Sequence, residues 1–119
     1  MPDQPAPTDA GDVPIPGRPV RGSTTGRPIM AALDLLGRRW ALRVLWELRD
    51  GSVGFRELQQ RCGGVSPTVL NTRLSELRDA GLIEQDESKA HRQTPLGQDL
   101  QQALSPLQAW SERWARSKR

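Results

Sequence analysis

Tyrosine is absent from this 119-residue chain, and phenylalanine, histidine and cysteine occur once each. A single cysteine excludes an intrachain disulfide and fits a reducing, cytoplasmic setting. His91 has no second histidine or cysteine at ligand spacing, so neither a metal nor a cofactor is expected. No stretch approaches the roughly 18 apolar residues of a membrane-spanning helix, and the N-terminal region lacks the apolar run of a signal peptide. A glycine-rich phosphate loop, a paired-carboxylate motif and a nucleophile–base–oxyanion set are all missing, so an enzyme is not expected.

What is present divides in two. Residues 1–28 hold seven of the ten prolines and four of the eleven glycines, and Val13, Ile15 and Val20 stand isolated among polar neighbours. Such a segment cannot offset its ordering entropy, so 1–28 is expected to be a disordered tail. Asp3, Asp9 and Asp12 cancel Arg18, Arg21 and Arg27, which places the whole formal charge of +3 on residues 29–119. That balance permits a polyanionic partner. About 90 residues make one small domain, a size often stabilised by pairing with a second copy.

Apolar spacing then sets the elements. Ile29, Leu33 and Leu36 repeat at helical spacing up to Gly37. Over 38–51, Ala41, Val44, Leu45 and Leu48 form an inner stripe flanked by Trp40 and Trp46. A third helix spans 55–64, with Phe55 and Leu58 inward and Gly63-Gly64 as its stop. Ser66-Pro67 opens a fourth, serine as N-cap and proline in the first turn. There Val69, Leu70, Leu74 and Leu77 share one side, and Gly81 ends the helix. Residues 82–97 read as two short strands turning near Glu87-Ser88-Lys89. Thr94-Pro95 starts a last helix with a stripe of Leu100, Leu104, Leu107, Trp110 and Trp114, in which Ser105-Pro106 is expected to kink or restart the helix.

This order predicts a mostly α fold with a small β-hairpin, in which helices three and four have helix-turn-helix spacing and the hairpin is a wing. Thr68, Thr72 and Ser75, with Asn71 beside them, lie opposite the apolar stripe of helix four. Small hydrogen-bonding side chains there suit base edges and phosphates in a major groove. Arg73 lies nearer the apolar stripe; it either snorkels to a phosphate or pairs with a carboxylate such as Glu57. Ser66 and Pro67 cap the helix and leave its N-terminus open to a phosphate. Arg56, Gln59, Arg38 and Arg39 are phosphate candidates or plain exposed side chains. Lys89, His91 and Arg92 are wing cations for backbone contact. Cys62 is either a small buried hydrophobe or a redox switch beside the reading unit.

The segments "ALDLLGRRWALRVLWEL", "FRELQQ", "VSPTVLNTRLSELRDAGLI" and "TPLG", in this order, resemble the HxlR family of bacterial transcriptional regulators, a branch of the MarR-like winged helices. The resemblance covers roughly 28–114. It implies a homodimer built by the first and last helices, with helix four in the major groove of a palindromic operator and the wing on the flanking backbone or minor groove. It also implies regulation next to genes that answer reactive carbonyl, quinone or oxidant stress, which leaves room for a small-molecule effector. Ile29, Leu33, Leu100, Leu104, Leu107, Trp110 and Trp114 are the dimer candidates. Arg27 stands where family members often carry a cysteine. His91, Arg92 and Gln93 replace the usual tyrosine, any residue, leucine, and the wing is short, with Asp86 and Glu87 near its tip. The rival expectation is a winged helix that binds proteins rather than DNA.

Overall fold

The computed structural model describes residues 13–16 and 27–118. Five helices and one hairpin follow each other: α1 (Pro28–Leu36), α2 (Ala41–Glu47), α3 (Phe55–Arg61), α4 (Pro67–Asp79), β1 (Ile83–Gln85), β2 (His91–Gln93) and α5 (Pro95–Ser117). The core takes the stripes read for the second, third and fourth helices, whereas on α1 it takes Leu35 rather than Ile29 and Leu33, which are exposed. Val44, Leu45 and Leu48 of α2 and its C-cap meet Leu58 of α3, Leu70, Leu74 and Leu77 of α4, and Leu82 and Ile83. Cys62 belongs to it as well. Burial raises its thiol pKa, so the group stays protonated and acts as a small hydrophobe rather than an exposed switch.

The caps hold as expected. Ser66 Oγ accepts the Val69 N–H at 3.1 Å, and Thr94 Oγ1 accepts that of Gly97 at 3.1 Å. The turn between α3 and α4 depends on Gly63 and Gly64, both at positive φ, and Gln59 Nε2 closes it by donating to the Val65 carbonyl at 3.2 Å. In the wing, Ile83, Glu84 and Gln85 face Gln93, Arg92 and His91 in antiparallel register. Asp86 shapes the tip: its Oδ1 accepts from Ser88 N, Ser88 Oγ and Ala90 N. Hydrogen bonds from the Ser88 side chain first, then the Ser52 side chain, then the Ala90 and Ser88 backbone, lower the Asp86 pKa to about 2.

Several expectations need correction. The second helix does not start at Arg38. Residues 37–40 form a turn, with Trp40 in the left-handed region (φ 77°), and α2 begins at Ala41. Of the kink or restart expected at Pro106, the restart does not occur: α5 runs through the proline, because a single lost N–H does not outweigh 23 residues of helix. Val53 adds a one-residue strand to the hairpin, exchanging hydrogen bonds of 2.8 and 2.9 Å with His91. Val13 is not isolated either, since it packs against the core, and Pro14 is buried. The disorder expected of residues 1–12 and 17–26 lies outside the described residues.

Gly97 fixes how α5 leaves the wing. A Cβ there would stand 2.1 Å from the Leu82 carbonyl oxygen, which also accepts the Thr94 N–H at 3.0 Å. The obstacle is backbone, so it cannot rotate away. Gly97→Ala is expected to destabilise the fold by about 1–3 kcal/mol, visible as a lower urea midpoint at constant slope.

Candidate nucleic-acid interface

Helix α4 presents two unlike sides because its leucines are drawn into the core. On the solvent side, Ser66, Pro67, Thr68, Asn71 and Ser75 are exposed. Thr72 is half-buried, and its Oγ1 donates back to the Thr68 carbonyl at 3.0 Å, leaving the hydroxyl oxygen able to accept. The face is therefore uncharged and low in profile. Asn71 is its one side chain with both an amide donor and a carbonyl acceptor.

Arg73 does not belong to this face. Its side chain is buried, its Nε donates to the Arg39 carbonyl at 2.6 Å, and its Nη1 sits 3.1 Å from Glu76 Oε1. The other carboxylate oxygen of Glu76 takes Arg38 Nη1 at 2.6 Å, and Arg38 Nη2 reaches Asp34 at 3.4 Å. Two guanidinium groups thus converge on one carboxylate that is almost fully buried. The carboxylate proposed for Arg73 from sequence was Glu57, but Glu57 pairs with Arg61. Sequence reasoning missed Glu76 and Asp34. The one available signal was the three-residue spacing of Arg73 and Glu76 beside the apolar stripe. The network ties α4 to α1 and to the turn before α2, so it sets the tilt of the polar face without touching a ligand.

Around that face the cations differ. Arg56 is exposed in the first turn of α3, and Arg39 is exposed in the turn before α2, its guanidinium 5.9 Å from the Trp40 ring. In the wing, Lys89 is exposed at the tip with φ 72°. Arg92 is exposed and ion-paired with Glu84 at 2.8 Å. His91 is not a wing cation. It is buried, burial foremost and then the nearby Arg78 lower its pKa against the opposing pull of Asp86, and its Nδ1 has no hydrogen-bond partner among the described residues. Gln93, also buried, donates to the Leu45 carbonyl at 3.0 Å and to Gln101 Oε1 at 3.2 Å, satisfying a polar group where an apolar one is usual.

The dimer candidates also separate. Ile29 and Leu33 on α1 are each 58% exposed, and Leu107, Trp110 and Trp114 on α5 are 49%, 49% and 54% exposed. The two indoles stack on each other, with centroids 5.6 Å apart and planes 13° from parallel. Leu100 is half-buried against the core, and Leu104 is half-buried facing Leu42 and Trp46. Those two serve the protomer at least as much as any partner. Among the described residues no three metal-ligating side chains come together, and no helix is long and apolar enough to cross a membrane.

A helix-turn-helix followed by a hairpin wing also occurs in known regulators to which this chain is similar. It is 28% identical over 93 residues to the uncharacterized HTH-type transcriptional regulator MJ0925 of Methanocaldococcus jannaschii, covering 75% of this chain and 87% of that protein. The crystal structure of quinone-bound YodB from B. subtilis superposes with a TM-score of 0.66 at 29% identity, over 71% of this chain and 96% of YodB. A MarR-family protein of Enterococcus faecalis V583 gives 0.66 at 32% identity, over 76% of this chain and 87% of its own. The family profile described as HxlR-like helix-turn-helix matches residues 35–119. The chain belongs to the HxlR family of winged helix-turn-helix transcriptional regulators, and its function is DNA binding in transcription rather than catalysis.

Proposed function

We propose that two copies of this chain clasp each other through α1 and α5 and read a palindromic operator with the outer faces of their α4 helices. The observation that carries this reading is the exposed, uncharged Thr68–Asn71–Ser75 face beside a capped helix N-terminus. Neutral hydrogen-bonding groups let the helix approach base edges. Affinity comes from phosphates met by Arg56, Lys89 and Arg92 and by the N-terminal turn at Ser66-Pro67. The exposed apolar residues Ile29 and Leu33 of α1 and Leu107, Trp110 and Trp114 of α5 supply the clasp, since exposed large apolar side chains gathered on one element mark an interaction site. In a two-fold dimer the half-sites lie about 10–10.5 base pairs apart, or a multiple of that. A small-molecule effector then acts by changing how the two reading helices are spaced.

Gel shifts test the assignment. Asn71→Ala is expected to weaken operator binding by about 1–3 kcal/mol while leaving binding to random DNA nearly unchanged. Equal losses on both DNAs would remove Asn71 from base reading. Arg92→Ala is expected to weaken both and to lower the slope of log affinity against log salt by about one per protomer; an unchanged slope would leave Arg92 paired to Glu84 and off the phosphate.

A further inference from the structure

Arg39 stands beside α4 without serving the core. Its side chain is exposed. Among the described residues no carboxylate pairs with it, whereas Arg38, Arg43, Arg61 and Arg92 each have one. Its backbone is nevertheless fixed. Arg73 of α4 donates to its carbonyl at 2.6 Å. Arg38, one residue earlier, is anchored on Glu76 of the same helix. Trp40, one residue later, takes the left-handed backbone at φ 77°, which a bulky residue adopts only where its surroundings impose it. The Trp40 ring then lies 5.9 Å from the guanidinium carbon of Arg39, within the range of a cation–π contact. A long, flexible cation is thus held at a set place.

The helix itself shows on which side. Glu76 reaches the turn that carries Arg38 and Arg39, while Arg78 stands near His91 of the wing. Glu76 and Arg78 are two residues apart, about 200° around the helix. The turn and the wing therefore flank α4 on opposite sides, with the exposed Thr68–Asn71–Ser75 face between them. An α-helix with its side chains is about 10–12 Å across, and the major groove is about 12 Å wide. A helix seated there brings whatever flanks it against the phosphates of both strands that border the groove. We infer that Arg39 holds a DNA phosphate on the strand opposite the one met by the wing, so that α4 is gripped from both flanks. The inference rests on α4 being the reading helix, as proposed above. Arg92 must give up Glu84 to meet a phosphate; Arg39 gives up no ion pair. Its removal is therefore the more costly of the two.

The full chain titrated onto random-sequence duplex DNA at several salt concentrations tests the contact without an operator. Arg39→Ala suits the test because it keeps the carbonyl that Arg73 holds. The variant should melt with the wild type and lower the slope of log affinity against log salt by about one per protomer. For a dimer that is a loss of affinity on the order of 10–100-fold at about 0.1 M salt, larger than the loss caused by Arg92→Ala. Arg39→Lys keeps the charge and should retain the slope. Ethylation of single phosphates, on a duplex that the wild-type protein selects from a random pool, locates the contact. Arg39→Ala should become indifferent to ethylation on the strand opposite the wing, and Arg92→Ala on the strand beneath it. A slope unchanged by Arg39→Ala, in a wild type that binds DNA, would overturn the contact alone. Interference lost on the wing's strand instead would overturn its placement. A wild type that binds no DNA even at low salt would overturn the inference together with the proposed function.

Discussion

Glu76→Ala should be among the most damaging single substitutions in this protein, lowering its unfolding free energy by about 3–5 kcal/mol. The reason is that two buried guanidinium groups lose the carboxylate they share, Arg38 keeping only the longer contact to Asp34 among the carboxylates described and Arg73 keeping the Arg39 carbonyl. Removing this one carboxylate leaves the Arg38 and Arg73 guanidinium groups facing each other in a nearly dry space. A buried charge stripped of its partner costs far more than the pair contributes when intact. For a domain of this size each kcal/mol moves the midpoint of thermal unfolding by about 4–8 °C, so the variant falls well below the wild type. Asp34→Ala is expected to cost less, because its contact to Arg38 is longer, at 3.4 Å, and more exposed. The comparison is made by thermal unfolding at fixed protein concentration, since association contributes to apparent stability. A Glu76→Ala midpoint within a few degrees of the wild type would show that the network does not hold α4 in place.

The second large effect falls on assembly. Trp110→Ser/Trp114→Ser is expected to turn a dimer into a monomer and to weaken operator binding by a factor on the order of 10²–10⁴. Tryptophans at the centre of an interface cost about 2–4 kcal/mol each when truncated, and each protomer supplies two. Once the chains separate, the second half-site is no longer held near its reader. The loss on DNA is therefore larger than any single base contact explains, and the fold itself should be unaffected because both indoles lie outside the core. Sedimentation of the variant, with a gel shift on the same sample, checks both parts. A variant that stays dimeric and binds normally would move the interface elsewhere.

These expectations show which features the sequence carried openly and which it concealed. The four leucine stripes, the Ser66-Pro67 and Thr94-Pro95 starts and the wing turn were legible because each is local: a period, a cap or a turn residue. The polar face of α4 was legible as the complement of its leucines. Glu76 was not. A helical wheel gives a glutamate to solvent by default, and it takes Arg73 together with Arg38, 38 residues earlier in the chain, to make burial tolerable. Arg73 followed the same logic, its place beside the apolar stripe being a hint that spacing alone could not resolve between phosphate and carboxylate. The packing of Val13–Pro16 was hidden for a related reason, since Val13 beside one proline and Ile15 between two show no period. Of the kink or restart expected at Pro106, the restart was ruled out by something spacing does not show: the length of helix on either side of the proline.

Selection of bound sequences from a random DNA pool tests the central claim most directly. The dimer should enrich a two-fold symmetric site whose halves lie about one helical turn apart. Asn71→Ala should relax base preference at one position in each half, symmetrically, while the spacing stays the same. Enrichment of no sequence by the wild-type protein, or of the same symmetric site with undiminished preference by Asn71→Ala, would contradict the account.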